Sequence, residues 1–436
     1  MTTTKNNEHK KLNFSSEREQ SQVCLNSAEH EKNQGRKVLN VPNLRFPEFQ
    51  GEWEEKRLSE IADLFKGNGI SKEQLTDTGE PCILYGELYT KYKSEVISDI
   101  FSKTDIDTRK LVKSKANDVI IPCSGETAVD IATARCVPYD NILLGGDLNI
   151  IRLYDCDGSF MSYQLNGKRK YDIAKVAQGV SVVHLYGDHL KGVKTYNPCL
   201  EEQKKIAKLL SLLDERITTQ NKIIDKLQSL IKGLNDSLYA QYGNEVKTSF
   251  ANLGTSYSGL SGKSAQDFGS GKPFITYLNV YSNNIINEND FQYVAIKDGE
   301  KQNIVEYGDV LFTLSSETPN EVGIGSVFLG KEKVYLNSFC FGIHITNKEV
   351  AFPPYLSYYV SSTAFRKFIY PYAQGSTRFN LCKADFEKAS IKLPTLENQK
   401  RIYLILGHID CKIETERQLL ALYNSQKQYL LRQMFI

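Results

Sequence analysis

Pro198-Cys-Leu-Glu-Glu-Gln203-Lys-Lys-Ile206 returns as Pro394-Thr-Leu-Glu-Asn-Gln399-Lys-Arg-Ile402, 196 residues further on (from 203 to 399). The match runs on through Leu213-Asp214 against Ile409-Asp410, and Ile217 against Ile413. Solenoid units repeat every 20–50 residues or so, far too short for this spacing, so a whole domain with its helix has been duplicated. Two similar units in one chain suggest two similar targets.

Upstream of each copy the same landmarks recur. Tyr85 aligns with Tyr277, Asp118-Val-Ile-Ile121 with Asp309-Val-Leu-Phe312, and Cys123-Ser-Gly-Glu-Thr127 with Leu314-Ser-Ser-Glu-Thr318. Ala177-Gln-Gly179 aligns with Ala373-Gln-Gly375, and between these landmarks the copies differ freely. Apolar runs such as Cys82–Tyr85, Asp118–Ile121 and Asn149–Leu153, separated by Gly and Asn/Asp turns, predict strands. Helical stretches are expected near Leu58–Phe65 and Met161–Val176. The fold class is α+β: two similar mixed α/β domains and two long helices. The expected divisions are a polar, disordered tail over 1–41, a first domain over 42–196 and a central helix over 197–243. A second domain follows over 244–392, and a C-terminal helix over 393–436.

After each motif the apolar residues are spaced alternately by four and three. Ile206, Leu210, Leu213, Ile217, Ile224, Leu227, Ile231, Leu234 and Leu238 keep that register, with Gln220 as the polar break. The second copy gives Ile402, Leu406, Ile409, Ile413, Leu420, Tyr423, Leu430 and Met434, broken by Glu416 and Lys427. Such a stripe over about five heptads argues for coiled-coil packing, the two helices pairing with each other.

Bulk composition narrows the class. The 436 residues carry 41% hydrophobic and 24% charged residues, ordinary for a globular protein of two or three domains. No run of about 18 apolar residues marks a membrane span, and Met1-Thr-Thr-Thr-Lys5 is no secretory signal. Nine scattered cysteines without a Cys-x-x-Cys pair fit reduced thiols and a cytoplasmic location. A net charge of +2 is low for a chain that grips DNA alone, so any basic surface is local or partners supply the rest.

Taken together, the chain resembles the specificity subunit of type I restriction–modification systems. The resemblance rests on Leu44-Arg-Phe-Pro-Glu-Phe-x-Gly-Glu-Trp53-Glu-Glu-Lys, the two Pro-x-Leu-Glu-x-Gln-Lys-x-Ile tracts, and Gln178-Gly-Val-Ser181 with Gln374-Gly-Ser-Thr377. It covers about residue 42 onward. It implies two target recognition domains, each reading half of a split asymmetric DNA site, held apart by an antiparallel coiled coil. The implied partners are double-stranded DNA, two methyltransferase subunits and restriction/translocase subunits. S-adenosylmethionine, ATP and Mg would be bound by those partners, and this chain would be non-catalytic.

Base reading needs polar side chains on loops of a rigid scaffold. Three tracts per domain qualify, each with an ordinary turn as the alternative reading. The first supplies Lys66, Asn68 and Lys72, with Ser258, Ser261 and Lys263 in the second copy. Next come Ser124, Glu126 and Thr127, answered by Ser315, Ser316 and Thr318. The last offers Gln178, Ser181 and His184, against Gln374, Ser376, Thr377, Arg378 and Asn380. Arg favours guanine and Asn/Gln adenine in the major groove, so the Gln374–Asn380 tract is the foremost reader. Tyr89 and Tyr281 could touch DNA, though such tyrosines are more often half-buried sheet surface. Leu210, Leu213, Ile217, Ile224, Leu227, Ile231, Leu406, Ile409, Ile413 and Leu420 are the expected coiled-coil interface.

Other chemistries find little support. Phe352-Pro-Pro-Tyr355 lacks the Asn or Asp with which an adenine methyltransferase holds its base, and reads as a loop. Asp155-Cys-Asp-Gly158 is too short for a calcium loop, and the six histidines have no metal spacing. The competing readings are a coiled-coil interaction scaffold without DNA readout and a diverged stand-alone DNA methyltransferase.

Overall fold

The computed structural model describes residues 39–179 and 182–436. The chain forms two compact units, one running to Glu215 and rejoined by Ser425–Ile436, the other Arg216–Asn424.

In the first unit a four-stranded antiparallel sheet has the order Ala62–Lys66, Leu148–Leu153, Asp118–Pro122, Arg135–Val137. The second unit repeats it with Gly254–Ser258, Cys340–Ile345, Val310–Thr313 and Gly325–Val327. The strand Asp118–Pro122 is buried along its whole length. Alternation divides its side chains: Val119 and Ile121 face the helix side with Met161 and Leu165, while Ile120 joins Ile83, Leu88 and Leu144. Val310 and Phe312 against Leu311 divide in the same way in the second copy. Each unit also pairs a short strand in parallel with a partner, Leu143–Leu144 on Glu80–Ile83 and Tyr335–Leu336 on Phe268–Ile275.

The duplication extends to buried polar groups. The Arg152 guanidinium grips Asp118 through two hydrogen bonds of 2.9 and 2.7 Å and lies 4.8 Å from the Phe65 ring centre. At the equivalent places His344 meets Asp309 at 2.9 Å and stacks on Tyr257 with centroids 4.2 Å apart. A carboxylate, a cationic or imidazole partner and an aromatic plate are kept, while the identity of the partner changes.

The repeated Pro-x-Leu-Glu-x-Gln motif has a physical reason. Gln203 and Gln399 are buried, and each amide returns to the proline that opens its motif, donating to Pro198 O at 2.8 Å and to Pro394 O at 2.9 Å. Their carbonyl oxygens accept from Asp157 N at 2.9 Å and Phe352 N at 2.8 Å, where the earlier helices Gly158–Asn166 and Pro353–Tyr359 begin. Each glutamine thus ties a long helix to its own domain. The front motif docks likewise: Arg45 forks onto buried Glu202 at 2.8 and 2.7 Å, and Trp53 is buried against Phe160 and Phe435.

The long helices are Leu200–Tyr242 and Leu396–Gln433, of 43 and 38 residues. Within the second unit they run antiparallel. Gln220 donates to Glu416, while Ile231, further along one helix, packs on the cluster holding Ile402 and Leu406, earlier in the other. Within the first unit Ile206 and Leu210 cluster with Leu431, Met434 and Phe435.

Two expectations are corrected. The stretch Leu58–Phe65 is helical only over Leu58–Ile61 and continues as the strand Ala62–Lys66. Phe352-Pro-Pro-Tyr355 is not a loop: Phe352 caps the buried helix Pro353–Tyr359, whose first positions suit proline because they need no intrahelical N–H donor.

Candidate nucleic-acid interface

The Gln-Gly tracts form hairpins beside the four-stranded sheets. In the second unit Ala373–Gln374 pairs with Phe379–Leu381, which pairs in turn with Ser315–Ser316. In the first, Gln178 bridges His184, and Val183–His184 pairs with Ser124–Gly125. The glycines are required. A Cβ on Gly179 would lie 2.1 Å from Val182 O, and one on Gly375 2.1 Å from Arg378 O, both at positive φ. Gln374, Ser376, Thr377, Arg378 and Asn380 are all exposed at this hairpin, as are Gln178 and His184 at the other. Ser181 lies outside the described residues. A pinched backbone with outward polar side chains is well suited to a groove of DNA.

The Ser-x-Glu-Thr tracts are mostly engaged inward. Ser124 is buried with its hydroxyl 3.1 Å from an Asp147 oxygen, and Thr127 caps the helix Ala128–Ile131 by accepting from Asp130 N at 3.1 Å. Glu126 alone of the three is exposed without such a role. Ser315 and Ser316 are buried, and the Ser316 and Thr318 hydroxyls donate to Glu321 at 3.1 and 2.8 Å.

The glycine-rich tracts divide. Lys72 is exposed, and Lys66 lies 5.7 Å from the centre of the Tyr186 ring. Asn68 uses both ends of its amide locally, donating to Lys110 O at 2.8 Å and accepting from Gly69 N at 2.8 Å. In the second copy Ser258 and Ser261 are exposed, with backbone groups held by Asn303 and Gln302. Lys263 turns inward, donating to Ala295 O at 2.6 Å and to Glu300 at 2.7 Å. That hydrogen bond, aided by the Lys297 and Gln302 donors, holds the Glu300 carboxyl down at about 2.

The tyrosines belong to short helices rather than strands. Sheet register equates Tyr85 with Tyr277, yet the hydroxyl that donates to the Ser124 carbonyl at 3.0 Å is that of Tyr89. Tyr277 makes the matching bond to Ser315 O at 2.8 Å, and Tyr281 bonds Glu321 at 2.8 Å. Sequence reasoning missed a cluster around Tyr186, which is exposed between Lys66, His184 (6.3 Å between rings) and His189 (5.5 Å). Its only signal was the spacing His184-x-Tyr186-x-x-His189. The Arg366 guanidinium is consumed by the carbonyls of Gly323, Asn320 and Val322 at 2.7–2.8 Å.

Of the expected helix-interface residues, Leu210, Leu213, Ile224, Leu406 and Ile413 are buried, and Ile217, Leu227, Ile231, Ile409 and Leu420 are half-buried. Among the described residues no helix is long and apolar enough to cross a membrane, and no cluster of His, Cys, Asp and Glu could hold a metal ion. Asp157, within the tract weighed as a calcium loop, caps the helix Gly158–Asn166.

Comparison with known proteins agrees with this architecture. The family model for the type I restriction modification DNA specificity domain matches residues 50–229 and 261–422. A putative type I restriction enzyme MjaX specificity subunit of Methanocaldococcus jannaschii is 25% identical over 418 residues, spanning 88% of this chain and 92% of that protein. The MjaVIII specificity subunit of the same organism is 26% identical over 237 residues, 53% of this chain and 52% of that one. The fold is similar to the S subunit of a type I restriction–modification system from M. genitalium, with a TM-score of 0.53 at 16% identity over 91% of this chain and 99% of that one. A chain from a structural study of type I complex assembly and conformational transition gives 0.55 at 16% identity, over 88% and 97%. With two matched copies over most of its length, the chain belongs to the type I restriction–modification DNA specificity family, and it is a DNA sequence-specificity subunit.

Proposed function

We propose that each unit reads one half of a split, asymmetric DNA site, the first through Lys66, Glu126, Gln178 and the Tyr186 cluster, the second chiefly through Gln374, Arg378 and Asn380. The helix pair sets the separation of the halves and docks two methyltransferase subunits. Restriction/translocase subunits join that complex in the cytoplasm. The chemistry belongs to those partners, with S-adenosylmethionine, ATP and Mg, and this chain is non-catalytic. One observation carries the reading: a duplicated frame keeps its sheets and buried polar ties while its exposed hairpin residues differ. Divergent side chains on a common scaffold are what two different recognition sequences require.

The test exchanges residues 60–190 for the same segment of another specificity subunit and sequences the methylated sites. One half of the recognition sequence changes and the other is kept. Change in both halves, or in neither, refutes the modular assignment.

A further inference from the structure

The first unit contains a cleft of about 700 Å³ that the recognition tracts do not account for. It is bounded by Lys93–Glu95, the turn after the helix Gly158–Asn166, and the C-terminal helix at Gln428–Arg432. Five cations line it, Lys93, Arg135, Lys168, Lys170 and Arg432, against one carboxylate, Glu95. Glu95 is already taken by the Lys427 ammonium at 2.5 Å. None of the five cations has an ion-pair partner among the described residues. Arg135 lies deepest. It donates to Ala134 O at 3.0 Å and Tyr92 O at 3.1 Å, and its Nε has no acceptor. A guanidinium held by two neutral carbonyls with a donor to spare is set for an anion.

The scaffold does not demand this charge. The corresponding cleft of the second unit is lined by Lys232 and Arg417 together with Asp236, Asp410 and Glu414. Asp236 stands 196 residues before Arg432 and is occupied by Thr363, whose N and Oγ1 donate to it at 2.9 and 2.6 Å. One copy is cationic and the other mixed.

We infer that the cleft of the first unit binds phosphates of the DNA backbone, an anchoring contact that the second unit lacks. The inference rests on the DNA-reading proposal. Lys93, Thr133 and Arg135 also line the adjoining pocket with Ser124, Gly125 and Glu126, so the cleft opens onto the recognition tract. Its concave form favours a phosphodiester over an acidic protein face, because a flat surface would not reach Arg135. Phosphate contacts raise affinity and salt sensitivity without carrying sequence information.

The test uses the full chain complexed with its modification subunits and carries Lys93→Gln, Lys168→Gln and Lys170→Gln together. Affinity for cognate and scrambled duplexes should fall by the same factor, tenfold or more at low salt. The slope of log K against log salt should shrink by about 3, near 0.9 per lost phosphate contact, with the methylated sequence unchanged. Lys232→Gln with Arg417→Gln should leave the slope intact. An unchanged slope in the triple variant overturns the inference, as does an altered methylated sequence, which would make these residues base readers. Loss of modification-subunit binding with normal DNA affinity in the remaining complex would make the cleft a protein contact. Inorganic pyrophosphate that stabilises only the wild type, with duplex slopes equal, would make it a small-anion site. Were the wild-type complex to show no preference for any sequence, the reading proposal would fall, while the slopes would still report on the cleft.

Discussion

Lys427 occupies the place that Ile231 holds in the other copy, and the exchange reorganises its surroundings. Its ammonium, 12% exposed, meets Glu95 at 2.5 Å and Asp214 at 2.6 Å and lies 5.8 Å from the Tyr163 ring centre. Burial raises the Asp214 carboxyl above its ordinary range and Glu95 adds to this, while Lys427 and the Tyr163 hydroxyl oppose it. Removing one partner of a buried ion pair strands the other, so Lys427→Met should cost the first unit about 3–5 kcal/mol at neutral pH. The sign with pH follows. Without the ammonium, the folded pKa of Asp214 rises further above its unfolded value. Folding stability is then retained below the ordinary carboxylate range and lost as pH climbs through the raised pKa. Urea midpoints should therefore differ little from wild type at pH 4 and widely at pH 8. An equal deficit at both would mean that lost packing, not charge, is responsible. The sequence shows a lysine interrupting an apolar stripe. It cannot show Glu95, which lies 332 residues away.

At the scale of elements, Gln220 and Glu416 are equivalent positions of the two copies, and because the helices are antiparallel they face each other. Lys412 reaches Glu416 as well, and its hydrogen bond is the main reason this carboxyl lies below the ordinary range, with Gln220 second. Gln220→Leu removes a buried donor and should lower stability by about 1 kcal/mol. Gln220→Leu with Glu416→Leu makes the seam continuous and should raise the urea midpoint above that of either single variant. A double variant no better than the worse single one would show that the pair does more than hold register. The stripe made these helices legible, since apolar spacing over tens of residues averages out local accidents. The stretch Leu58–Phe65 departs from the expected helix because a four-residue helix followed by a strand offers less than two periods of either pattern. The recognition tracts were legible as polar turns, but not the direction of each side chain. Lys263 turns into an ion pair and Arg378 turns out, and the residues that decide this, Glu300 and Gly375, act through geometry rather than spacing.

For the whole molecule the separation of the half-sites is the property to test. Contacts of the long helices within the first unit end near Asp214 on one helix and begin near Lys427 on the other. Those within the second involve Gln228 onward and the stretch up to Arg417. Between these limits each helix has a stretch whose sequence serves only the helix pair, so length can be added there without disturbing a recognition unit. Seven residues inserted between Ile217 and Leu227, and seven more between Arg417 and Asn424, would add about 10.5 Å at 1.5 Å per residue. A heptad falls only about 20° short of whole turns, so the seam stays in register. At about 3.4 Å per base pair the unread spacer should lengthen by about three base pairs, with both half-site sequences unchanged. Sequencing the methylated sites of cells carrying the doubly extended chain reads this directly. A single insertion slips one helix against the other and should abolish methylation rather than change its spacing. Sites with the original spacer in the doubly extended chain would mean that the helices do not set the distance.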